Sequence, residues 1–192
     1  MSKTILLILI FISFNSCKKP LNYKFSNLKN LNLNCSQIKS NLVKEAYYSF
    51  REDLVTYAIK NNKTDSKNLP LSLALFIVNG ALGEADFKNI ASNHTKIIVS
   101  KLAKENQLWN NDKSLNYHSI FITCLINNIK NTEIKNAILL YREGRFNKEE
   151  LVEIYRVNIR EANTDSHFAM FITFESYYQY LNKLDLTNYG SP

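Results

Sequence analysis

The stretch SQIKSNLVKEAYYSFREDLVTYAIK, Ser36 to Lys60, decides the fold class. Ile38, Leu42, Ala46, Phe50, Leu54 and Ala58 recur every four residues, with Val43, Tyr47 and Tyr57 beside them. A four-residue recurrence paints one apolar stripe along a helix, here about 38 Å long at 1.5 Å per residue. Lys44, Glu45, Arg51, Glu52 and Asp53 fall mainly off that stripe and read as solvated. Ser36 is a candidate cap, and the polar loop from Asn61 to Asn68 ends the helix.

The same kind of pattern continues toward the C-terminus. Pro70 suits the first turn of a second helix, whose run Leu71 to Val78 is apolar on nearly every side. Such a helix is expected to be central and covered. Gly80 and Gly83 break the chain before a third helix over about 84–107, with His94 on its apolar side. A fourth helix is expected over about 114–130 and a fifth from Thr132, stopping at Gly144. Asn147 with Glu150 three residues on forms a capping box, and Phe146 can staple to Leu151, so 132–162 reads as a helical hairpin. A seventh helix is expected over about 165–183. With only 4 glycines and 3 prolines, turn-rich β architectures are disfavoured. The expected fold is all-α, about seven helices in one compact domain over 36–185, with 186–192 fraying.

A weaker pattern crosses the chain. Phe76-Ile77-Val78, Phe121-Ile122-Thr123 and Phe171-Ile172-Thr173 each lie in a strongly apolar helix. A short array of helical pairs would give such an echo. Chance agreement among Ile- and Phe-rich helices is the favoured reading, because the intervening segments share no pattern.

The first twenty residues carry a different kind of signal. Lys3 precedes the unbroken apolar run Ile5 to Ile12, then Ser13 to Ser16 lead into Cys17, Lys18, Lys19 and Pro20. That run is too short to cross a bilayer, which takes about 20 residues. A charged start, a short apolar middle and a small residue before the cleavage point describe an export signal. With cysteine directly after Ser16, the stretch resembles a bacterial lipoprotein signal, with Phe14 at the large apolar position and Asn15 and the missing Leu as departures. The resemblance implies a diacylglyceryl group on the Cys17 thiol and removal of residues 1–16. It implies a lipid-anchored location in the bacterial cell envelope, with the domain facing the periplasm or the exterior. Without lipidation, Cys17 is a plain thiol behind an ordinary secretory signal cleaved nearby, or the apolar run is an uncleaved anchor. Residues 17–35, polar and rich in asparagine, read as a flexible tether.

Charge and motifs narrow the function. Net charge is +7 with basic and acidic residues interspersed, which argues against a nucleic-acid stripe. No phosphate loop, dinucleotide fingerprint, zinc-protease helix or nucleophile elbow is present in the sequence. Among three histidines, His118 and His167 could approach one another, but neither helix offers a carboxylate to complete a metal site. No cofactor or metal is therefore expected. An oxidising compartment would let Cys35 and Cys124 pair, and Cys124 reads equally well as a small core residue.

Tyr177, Tyr178 and Tyr180 span too wide an arc to face one core, so at least one phenol is expected at a surface. Together with Glu175 they form the expected partner-binding face, an aromatic centre with a polar rim at the uncovered end of the last helix. On this reading Tyr178→Ala weakens binding and leaves stability alone. The sequence thus points to a membrane-anchored, non-enzymatic binding or interaction module for an envelope protein partner. The alternative is an envelope enzyme acting on cell-wall or carbohydrate material through paired carboxylates such as Glu84 or Glu175.

Overall fold

Among the described residues, six helices begin at a polar residue whose side chain accepts from their first free N–H groups, and these caps set where they start. The computed structural model describes residues 20–65 and 67–184; Cys17, the signal segment and the expected fraying of 186–192 lie outside them. Helix α1 spans Ser40–Lys60 and buries Leu42, Ala46, Phe50, Leu54 and Ala58. Asn68 caps α2, Leu69–Leu82, by accepting from Leu71 N, and Gly83 ends it at φ 82°. A single turn α3, Phe87–Ile90, precedes α4, Asn93–Leu102, which Ser92 caps through Thr95 N. Ser119 caps α5, Ile120–Asn128, and Asn131 caps α6, Thr132–Arg142. Helix α7, Lys148–Asn158, starts in the capping box that Asn147 and Glu150 form. Asp165 caps α8, Ser166–Ile172, which runs through a π-helical turn, Thr173–Tyr178, into α9, Gln179–Lys183.

The domain is all-α, and no strand occurs among the described residues. The expected seven helices are recognisable, with the third divided into α3 and α4 and the seventh into α8 and α9. Residues 109–118, expected partly as helix, form a loop instead, because Ser119 starts α5 five residues later than the apolar pattern suggested. Among the described residues, no helix is long and apolar enough to cross a membrane.

The rod from α8 through α9 is the centre of the molecule, not its end. α5 packs on α8, α1 and α2 on the π-turn, and α3 and α4 on α9. Phe168, Phe171, Phe174, Tyr177 and Tyr178 are all fully buried there. The helices that carry the first two Phe-Ile triplets therefore pack against the rod that carries the third, and no open end of a stack remains at the last helix. Conversely α2, expected to be covered all round, leaves Leu71 and Leu75 exposed on one side.

Residues 20–35, expected as a free tether, lie against the flank of α1. The Lys24 and Phe25 N–H groups donate to Glu45 at 2.7 and 3.1 Å. Lys44 Nζ donates to Ser26 O at 2.7 Å and Asn30 Oδ1 at 3.1 Å. Phe25 is buried by this strap, and so are Lys44 and Glu45, which the stripe alone placed in solvent. A disulfide joins Cys35 to Cys124 and fixes the end of the strap to α5. Of the two readings open for these cysteines, pairing is the one found.

Candidate functional site

An open cleft of about 410 Å³ lies between the 110–118 loop, the α6–α7 junction and α9. The loop is shaped locally. Asp112 Oδ1 accepts from Ser114 N at 3.0 Å and Ser114 Oγ at 2.6 Å, and Asn110 N donates to Ser114 O at 2.9 Å. Lys113 takes φ 64° inside this turn. Buried Leu115 then pins the loop to the rod through Gln179 Oε1 at 3.3 Å.

Three elements supply the walls. Tyr141 and Arg142 come from the last turn of α6, Lys148 from the first residue of α7, and Gln179, Tyr180 and Lys183 from α9. His118 stands exposed at the mouth. Beneath Lys148 lies Glu175, whose side chain is 0% exposed and forms an ion pair with the Lys148 ammonium. Tyr117 OH donates to Glu175 Oε1 at 3.2 Å and Ser176 Oγ to Oε2 at 2.7 Å, so the carboxylate is held from several sides.

Lys148 sits there against local preference. It opens an 11-residue helix, where the positive end of the helix dipole disfavours a cation. Burial pushes its ammonium well below the usual lysine range, Lys183 acts in the same direction, and Glu149 opposes them. The Tyr141 ring lies 5.2 Å from Nζ and gives back part of the lost solvation. Burial also raises the phenols of Tyr117, Tyr141 and Tyr180, the last to about 12, so all three stay protonated at neutral pH. Two buried polar atoms nearby have no hydrogen-bond partner among the described residues: Arg142 Nε and Tyr155 OH.

The residues expected to bind a partner divide sharply. Tyr180 lines the cleft, and Glu175 is buried behind the lining, paired with Lys148. Tyr177 and Tyr178 are 0% exposed and have no surface to present. Tyr177 OH donates to Asp53 Oδ2 at 2.8 Å, and Tyr178 OH to Ala46 O at 3.0 Å. The physical reason is position: this helix is enclosed by its neighbours, so even a wide arc of side chains stays inside. Lys148, Arg142, Tyr117 and Tyr141 were not anticipated. The cation at the first position of α7, at odds with the dipole, was the one local signal that pointed to them.

A second polar cluster is closed. Glu45 accepts from the strap and faces His94 Nε2 at 2.6 Å, while Asp53 accepts from Thr95 and Tyr177. Ser49 and Thr95 hydroxyls meet at 2.5 Å. These groups satisfy one another and hold the strap, α1, α4 and the π-turn together. The two carboxylates considered for catalysis do not converge: Glu84 is exposed after α2, and Glu175 is committed beneath Lys148. No group of three or more metal-ligating side chains comes together among the described residues. Comparison with protein-family models, with curated proteins and with solved structures found no match to this chain.

Proposed function

We propose that this chain is an envelope lipoprotein, anchored through lipid on Cys17, whose helical domain is a non-enzymatic binding module working through the Lys148 cleft. The observation that carries the binding role is the cleft itself. It is open to solvent, polar at the rim, and lined by Lys148, which is paired with the buried Glu175 behind it. Buried ion pairs contribute little to stability relative to apolar replacements, so their retention beside an opening favours a role in recognition. The carboxylate-pair enzyme draws less support, because Glu175 is the single buried acid at the cleft and its oxygens are already occupied.

The packed strap supports close apposition to the membrane. Four peptide units separate Cys17 from Leu21, the first strap residue packed against the core, and at ~3.6 Å each they reach about 14 Å. A domain held by so short a link rests against the lipid head groups, with Lys18 and Lys19 between.

Two measurements test the reading. Cys17→Ala abolishes incorporation of radiolabelled fatty acid if Cys17 is the anchor, and equal labelling of both proteins overturns that part. Native mass spectrometry after exposure to low-molecular-weight envelope extract reads the binding role. A ligand retained by the wild type and lost in His118→Trp, where an indole fills the mouth, supports the cleft. Identical spectra for both proteins overturn it.

A further inference from the structure

We propose that the cleft binds a small molecule carrying a carboxylate or phosphate head on a flat, partly apolar body. This rests on the cleft being the binding site and adds the class of ligand. Three cations, Arg142, Lys148 and Lys183, line the opening. Glu175 offsets Lys148 alone, and no ion pair with a described residue engages Arg142 or Lys183. Asp112 and Glu149 stand exposed outside the lining and still act on it, Asp112 on Lys183 and Glu149 on Lys148 and Tyr141. Solvent weakens such exposed interactions, so the cleft keeps a net positive charge.

The hydrogen-bonding inventory points the same way. Arg142 Nε–H is buried and lacks an acceptor, and guanidinium and ammonium groups can only donate. The tyrosines that border the cleft are held protonated and repel no anion. The Tyr141 hydroxyl can donate as well, whereas those of Tyr117 and Tyr180 already donate to Glu175 and Ala81 O. Tyr155 OH is a further buried donor without an acceptor among the described residues. A wall of donors wants acceptor oxygens, and a charged head supplies several at once. The rings of Tyr141 and Tyr180 offer apolar area to the body of the molecule. The volume falls in the range of small-molecule sites.

The test sets benzoate and phenyl phosphate against uncharged benzamide, titrated into the purified chain and followed by amide chemical shifts. Benzoate or phenyl phosphate is expected to bind at least about tenfold more tightly than benzamide, the size of one charge-assisted hydrogen bond. The stronger of the two acids identifies the head group. Arg142→Gln and Lys183→Gln are each expected to weaken the acid by about tenfold and to leave benzamide unchanged. Lys183 is exposed and Arg142 half-buried, and an unaltered far-ultraviolet spectrum confirms that each variant is folded. Lys148 is left intact in these variants, since its loss would strand Glu175 as an unpaired buried charge. Equal binding of benzamide and benzoate overturns the anion and leaves the cleft standing as a binding site. No shift with either acid also overturns it. Shifts that persist undiminished in His118→Trp place the probes elsewhere and count against both readings.

Discussion

The Tyr177 hydroxyl donates to Asp53 Oδ2 at 2.8 Å across 124 residues of sequence, joining the middle of α1 to the π-turn of the central rod. Thr95 donates to the same oxygen, so α4 meets the other two at one carboxylate. Burial raises the Asp53 pKa above its ordinary 3.8, and the hydrogen bonds from Thr95, Tyr177 and Ser92 oppose that rise. The folded state thus holds the proton to higher pH than the unfolded chain does. Stability from this group is complete below pH 3.8 and is lost as pH rises through the elevated folded value.

Tyr177→Phe tests that junction. Removing the phenol leaves Asp53 with one donor fewer, which is expected to destabilise the domain by about 1.5–3 kcal/mol. The pH-dependent fall is expected to move upward, since one group that favours the charged form has gone. Asp53→Asn is expected to flatten the dependence above pH 3.8 altogether. Melting temperature measured against pH for the three proteins decides it; parallel curves would remove Asp53 as their origin.

The disulfide between Cys35 and Cys124 closes a segment of 89 residues. A cross-link over that length is expected to contribute on the order of 4 kcal/mol, chiefly by restricting the unfolded chain. It also anchors the strap that buries Glu45 and Lys44. Reduction, or Cys124→Ser, is expected to lower the melting temperature and to increase hydrogen exchange at Lys24 and Phe25. Unchanged exchange at those two amides would mean that Glu45 holds the strap without help.

Local signals were legible in the sequence and tertiary ones were not. The capping box of Asn147 and Glu150 is found as read, with Glu150 N–Asn147 Oδ1 at 2.8 Å and Asn147 N–Glu150 Oε2 at 2.7 Å. It needs nothing beyond four consecutive residues. Ser92 caps α4 by similar chemistry but was hidden, because the apolar spacing of Phe87, Ile90, His94 and Ile98 runs across it without interruption. Glu45 and Asp53 were misplaced for another reason. Periodicity reports which side of a helix is apolar, and it carries no information on polar groups buried by a partner segment. The cleft follows the same logic, since Tyr117, Tyr141, Lys148 and Lys183 meet only through the packing of four separate elements.

The buried tyrosines make a graded set. Tyr178→Ala, expected from sequence to affect binding alone, is now expected to cost about 3–5 kcal/mol, as for other large-to-small changes in a core. Tyr178→Phe keeps the ring and loses the bond to Ala46 O, so about 1 kcal/mol is expected. Tyr155→Phe removes a hydroxyl that has no partner among the described residues, and stability is expected to hold or rise. Denaturant midpoints order the three. A Tyr155→Phe protein less stable than Tyr178→Phe would show that the Tyr155 hydroxyl is satisfied in solution.

Two glycines separate a backbone effect from an effect on the cleft. Gly83 and Gly144 both adopt positive φ, 82° and 71°, where any Cβ costs roughly 1 kcal/mol. Gly144 has open space around it, so Gly144→Ala is expected to show that cost alone. At Gly83 a Cβ would stand 2.5 Å from Tyr180 Cε1, closer than atoms approach. The Tyr180 ring has little freedom to withdraw, because it stacks on Phe87 at 5.1 Å and its hydroxyl donates to Ala81 O at 2.7 Å. Relief therefore comes from shifting the α9 side chains toward the cleft they border. Gly83→Ala is expected to lose more stability than Gly144→Ala and, alone of the pair, to weaken benzoate binding. Equal effects on affinity would show that the Tyr180 wall contributes nothing to the cleft.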